Sequence, residues 1–147
     1  MHRRVVLLAV SVAVLSIPAV AHHSTAMFDS KNPATLTGTV KEYLWRNPHS
    51  MLVLDVQRVT NGKGEVEQAL AGEWQVELHS TGILLRRGWT KAFFKAGETV
   101  TVTGGRMADG SRMIRLDRGT KADGAKFYGD DFSPEATGNN LGAQGQR

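Results

Sequence analysis

The sequence predicts a mainly β fold: a small five-stranded barrel with one short helix between strands three and four. Three observations lead there. Five stretches carry apolar residues on a two-residue period or in short apolar runs, as strands with a buried face do. Turn-forming pairs, Asn47-Pro48, Asn61-Gly62 and Asp109-Gly110, fall between them. Between the third and fourth stretches, Ser80 to Gly88 reads instead as a helical turn with a capping residue at its start and a glycine at its end.

Strand one runs from about Thr35 to Trp45. Leu36, Gly38 and Val40 share one face, while Tyr43 and Trp45 fall on the other parity. A bulge near Lys41-Glu42 would return both sets to one core and bend the strand as a small barrel requires. Pro48 has no N–H to give a ladder and keeps Asn47 out of the helical region, so Trp45-Arg46-Asn47-Pro48-His49 is a corner. Strand two, Ser50 to Arg58, is apolar on both parities at its start, which predicts cover on both faces. Thr60 to Gly72 reads as a long exposed loop. In strand three, Glu73 to His79, Trp74, Val76 and Leu78 point in, and Glu73, Gln75, Glu77 and His79 point out. Ser80 or Thr81 caps the short helix, Arg86 and Arg87 complement its C-terminal dipole, and Gly88 stops it. Thr90 to Ala96 is expected to add a helical turn, with Phe93 and Phe94 as core plugs. Strand four buries Val100 and Val102, with Thr99, Thr101 and Thr103 outside. Strand five, Ser111 to Asp117, buries Ile114 and Leu116.

The order strand-strand-strand-helix-strand-strand is that of an oligonucleotide/oligosaccharide-binding (OB) barrel, with the helix plugging one end; a split β-sandwich is the alternative. From Thr120 onward the chain is rich in Gly, Asp and Asn and lacks apolar periodicity, so 120–147 reads as a mobile tail in which Phe127, Tyr128 and Phe132 dock locally. Residues 22–34 read as an extended lead-in pinned by Phe28, and 35–119 as the domain.

Residues 1–21 have the layout of a secretory signal peptide: basic His2-Arg3-Arg4, apolar Val5 to Ile17, and small-x-small Ala19-Val20-Ala21. An uncleaved anchor is the competing reading, but the apolar run is short of the ~20 residues that span a bilayer. Cleavage after Ala21 would start the chain at His22 and place it in the periplasm or outside the cell, with no membrane attachment afterwards. Losing Arg3 and Arg4 reduces a net charge that is only +4 to begin with, so nucleic acid is not an expected partner. The absence of cysteine excludes disulfides, thiolate metal centres and cysteine nucleophiles.

Several pieces carry a resemblance: His22-His23-Ser24, Phe28-Asp29, Leu36-Thr37-Gly38-Thr39-Val40, Trp45 with Asn47-Pro48-His49, Arg86-Arg87-Gly88-Trp89-Thr90, and Gly97 with Val100, Val102 and Gly104. From His22 to about Leu116 the chain resembles a family of small exported bacterial proteins known as domain of unknown function 6152. The resemblance implies an exported β-rich domain and no established activity. His79 departs from the family pattern, so no role for it follows from the resemblance.

Four histidines follow the cleavage site: His22, His23, His49 and His79. A chain starting at His22 would offer an amino group and an imidazole from one residue, a chelate suited to copper and other nitrogen-seeking metals. His49 opens strand two and His79 closes strand three, and in an antiparallel pair those ends lie side by side. The lead-in can reach up to roughly 40 Å when extended, far enough to join them. One candidate site is therefore a metal site of His22, His23, His49 and His79, copper first. Against it stand a solvated tail for His22 and His23, and a corner histidine bonded to backbone for His49. The second candidate is a binding face: Trp45, Arg46 and Asn47 of the corner with Gln75 and Glu77 of strand three, beside the strands two and three across which OB-type barrels bind chains, gripping a protein or small molecule. Buried tryptophans and merely solvated polar residues are the bland counterpart.

Catalysis finds little support. Glu73 and Glu77 lie about 13 Å apart on one strand face, too far for a glycosidase pair. The serines lack a G-x-S-x-G setting, and no phosphate-binding loop or dinucleotide fingerprint is present. The reading is a non-catalytic exported binding module without an obligatory cofactor; the alternative is a periplasmic copper-binding protein.

Overall fold

The computed structural model of the protein describes residues 27–129. It is mainly β, with six strands and one short α-helix: β1 (Phe28–Leu44), β2 (Met51–Asn61), β3 (Gly72–Glu77), α1 (Thr81–Arg86), β4 (Thr99–Met107), β5 (Met113–Lys121) and β6 (Lys126–Tyr128). Hydrogen bonding runs β3-β2-β1-β4-β5-β6, and β5 also pairs with β3. Five strands therefore form a closed ring. The closing pairing is parallel, through Gln75↔Met113, Val76↔Ile114 and Glu77↔Arg115; every other pairing is antiparallel. Beyond the point where β3 leaves β5, β6 takes over the same edge, opposite Arg118 to Thr120.

Closure demands sharp bending, and β1 supplies it. Against β2 its register shifts twice, at Thr37/Gly38 and at Val40/Glu42. The second shift is the bulge expected at Lys41-Glu42, and Tyr43 and Trp45 do pack against the same core as Leu36 and Val40. At Gly38 a Cβ would lie 2.6 Å from the Asp55 carbonyl oxygen, so only glycine allows β2 to come this close. Gly104 plays the same part at the β4 shift opposite β5, where a Cβ would stand 1.8 Å from the Arg115 oxygen.

The ring interior holds Leu36, Leu52, Leu54, Val56, Val76, Val100, Val102 and Ile114, each almost fully buried. The outward threonines pair across strands: Thr35 with Thr103 at 2.9 Å and Thr37 with Thr101 at 3.1 Å. Met51 and Leu52 are both buried, so the start of β2 is covered on both faces as its pattern predicts.

An aromatic plug fills one end of the ring. Trp89 stacks on Phe93 with ring centroids 4.1 Å apart, and Phe94 meets Tyr43, Trp89 and Phe127 edge-on. The segment that carries Phe93 and Phe94 is not the expected helical turn. Residues 90–96 form turns, because burying three neighbouring rings in one plug sets the backbone path ahead of local propensity.

Two expected boundaries also move. β1 begins at Phe28, inside the expected lead-in, where Phe28 pairs with Met107. At the other end β5 continues to Lys121 and the chain returns as β6, inside the expected tail. Phe127 lies flat over Gly119, where a Cβ would be 2.2 Å from the ring, and this contact makes a strand of a segment with no apolar period. Residues 1–26 and 130–147, with the signal-peptide reading, His22, His23 and Phe132, lie outside the described residues.

Candidate functional site

The corner between β1 and β2 stands at the plugged end, and each of its residues has a distinct setting. The Asn47-Pro48 bond is cis. Trp45 is half-buried, with its ring edge-on to Tyr43 at 5.8 Å; it belongs partly to the plug. Arg46, Asn47 and Pro48 are exposed. The Asn47 Oδ1 accepts from the Thr81 amide at 3.1 Å and from the Thr81 Oγ1 at 2.9 Å. These bonds cap α1 from another element, where the sequence suggested Ser80 or Thr81; the Ser80 side chain at the N-cap makes no capping bond.

His49 is held from the other side. Its Nδ1 lies 3.2 Å from the Leu78 carbonyl oxygen and 3.4 Å from Glu77 Oε1. The Ser50 amide donates to the His79 carbonyl at 2.9 Å, and the Leu78 amide donates to the Ser50 carbonyl. The strand ends bearing His49 and His79 are thus neighbours, as the antiparallel pairing predicts. Ser50 itself is fully buried, and its hydroxyl donates to the Arg46 carbonyl at 3.3 Å.

Glu77 corrects the sequence reading. It was expected to face water, yet it is 8% exposed. Strict alternation fails at this position because β5 closes the ring alongside β3 here and His49 covers the carboxylate. Gln75 and Glu73 do face out; Glu73 accepts from the Lys41 ammonium at 2.6 Å, and that bond holds the Lys41 pKa above its usual value.

Among the described residues, no three or more His, Asp or Glu side chains are grouped so as to hold a metal. His49, Glu77 and His79 are near neighbours without forming such a set; His22 and His23 lie outside the described residues. A recess beside the corner is lined by Glu77, His79, Arg87, Trp89, Arg115 and Tyr128, among others. It has room for about one water.

The structure therefore brings together Arg46, Asn47 and His49 of the corner with Thr81, Glu77 and His79, and leaves Gln75 on the adjoining strand face. Arg115 was missed, and Arg87 was read only as part of a solvated helix end. Arg115 reaches this rim through the parallel β3–β5 pairing, a contact between residues far apart in sequence that leaves no periodic trace. No curated protein and no solved structure matches the chain. One family model does match, over residues 9–115. The chain belongs to that family, described only as a family of unknown function (DUF6152).

Proposed function

We propose that the protein is an exported, non-catalytic binding module that takes its ligand at the β1–β2 corner, through Arg46 and Asn47 with Trp45 behind, and along the outer face of β3 through Gln75. One observation carries this reading. The corner is exposed, yet Asn47 and His49 tie it to α1 and to β3, so Arg46 stands on an ordered support. Pre-organised exposed polar groups bind with less ordering cost than mobile ones. The ring supports it further: β1 pairs with both β2 and β4, and β5 closes on β3, in keeping with an OB-like barrel, a plan that binds chains across strands two and three. The buried Ser50, already spent on the Arg46 carbonyl, supports a non-catalytic role.

A binding screen tests it. Isotope-labelled protein is titrated with panels of short peptides and oligosaccharides while backbone amide signals are followed. The expected result is a ligand that shifts the Arg46 to His49 and Gln75 signals, with binding lost in Arg46→Glu. Ligands that shift only distant signals, or turnover of any panel member, contradict it. Mass analysis of the protein secreted by an expression host tests export; a product retaining Met1 contradicts that part.

A second reading is copper binding through a chain that starts at His22, with His49 as a further ligand. Its support is the adjacency of the strand ends bearing His49 and His79. Copper calorimetry should then give a dissociation constant below about 100 μM that weakens in His22→Ala; unchanged binding in that variant contradicts it.

A further inference from the structure

Residues 80–96 cross the plugged end of the ring between β3 and β4, and their charge is one-sided. The segment carries Arg86, Arg87, Lys91 and Lys95 and no acidic residue. Its apolar members divide sharply. Leu84, Trp89 and Phe94 are 3–5% exposed and anchor it in the core. Leu85, by contrast, is 57% exposed, the most exposed of the large hydrophobic side chains among the described residues. Arg86, Arg87, Lys91, Ala92 and Lys95 are exposed with it. The result is an anchored cap with one apolar tip and four cations on long hydrocarbon stems.

We propose that this cap docks peripherally on an anionic lipid surface, with the arginines and lysines against headgroup phosphates and Leu85 entering the interface. An acidic protein is the other partner that such charge would attract, and the residue types argue against it. Protein interfaces are depleted in Lys and centre on Trp, Tyr and Arg, with Leu under-represented among their hot spots. Exposed basic residues and an exposed apolar side chain carried on one short segment suit a headgroup layer, where stems lie against the acyl boundary and charges reach the phosphates. No helix among the described residues is long and apolar enough to cross a membrane, so the contact is peripheral. It reverses the expectation of no membrane partner. It also orients the binding corner, because Asn47 is bonded to Thr81 at the start of the same cap. The inference stands independently of what the corner binds.

Vesicle sedimentation tests it. Protein produced from the whole chain is mixed with vesicles of phosphatidylcholine alone or with about one-third phosphatidylglycerol, at low salt and at about 0.5 M salt, where the Debye length is only a few ångströms. The expected result is partition onto the anionic vesicles alone, lost at high salt. The double variant Lys91→Glu/Lys95→Glu should weaken it at least about tenfold, since each basic residue near such a surface contributes appreciably. Leu85→Ser should weaken it a few-fold, and both variants should keep the wild-type melting temperature. Equal binding to both vesicle types, binding unchanged in the double variant, or binding to polyglutamate with none to anionic vesicles would each overturn the proposal. Each variant is compared with the wild type in the same form of the chain, so the ratios between variants read residues 80–96 and not residues 1–21.

Discussion

The two ends of the ring are closed by different physics. At one end, Trp89, Phe93, Phe94, Phe127 and Tyr43 interlock, and Lys121 lies 4.6 Å from the Phe93 ring centroid while pairing with Glu98 at 3.2 Å. At the other end Val59 and Trp74 are buried and Leu70 packs on them, and polar contacts are added around these. Arg106 pairs with Glu67, Trp74 Nε1 donates to the Leu70 carbonyl at 2.8 Å, and Asn61 accepts from the amides of Lys63 and Glu65. The difference teaches where stability and binding reside. Apolar burial is worth ~25 cal/mol per Å² removed from water, whereas a partly exposed ion pair gains little over hydration. The aromatic plug reaches the corner through Tyr43, which meets both Phe94 and Trp45 edge-on.

The contrast can be broken most forcefully at Phe94. Phe94→Ala removes the ring that touches the other plug aromatics and should cost about 3–5 kcal/mol in urea unfolding. A loss below about 1 kcal/mol would place the stabilising core elsewhere.

Tyr43 sharpens the contrast in the opposite direction. Its hydroxyl is buried with no hydrogen-bond partner, an unmet cost of about 1–3 kcal/mol in a fully buried group and less here, where the residue is half-buried. Tyr43→Phe should therefore raise stability by about 1 kcal/mol. Burial also pushes the Tyr43 phenol well above its ordinary value of 10.0. The unfolded chain then releases that proton first. Its contribution to stability is complete below pH 10 and is lost as pH rises above it. Unfolding midpoints between pH 8 and 11 should fall less steeply in Tyr43→Phe than in the wild type.

Effects at the polar contacts of the other end should be smaller. Glu67→Gln weakens the pair with Arg106, whose side chains are 19% and 32% exposed, and should cost about 1 kcal/mol after allowance for solvent screening. Lys41→Ala, which breaks an exposed pair with Glu73, should leave the unfolding midpoint unchanged within error.

Legibility follows the same division. Local pattern was enough for the strands whose partners adjoin them: the alternation of Trp74 and Val76, the bulge before Tyr43, and the turn at Asp109-Gly110, where Gly110 has a φ of 81°. Phe94 declared itself as a plug by being aromatic beside a turn. What stayed hidden depends on contacts distant in sequence. The parallel β3–β5 pairing buries Glu77 and delivers Arg115. β6 exists because Phe127 finds Gly119. Asn47 caps a helix that starts 34 residues later. No periodicity within one segment encodes any of these.

Hydrogen exchange on the purified whole chain, with and without a ligand found by the screen, tests most directly the claim that the plug stabilises while the corner binds. The expected footprint is new protection confined to Arg46–His49 and Gln75, with Phe93, Phe94 and Phe127 equally protected in both states. Ligand-dependent protection at the plug or at Glu67–Leu70, with none at the corner, would contradict it.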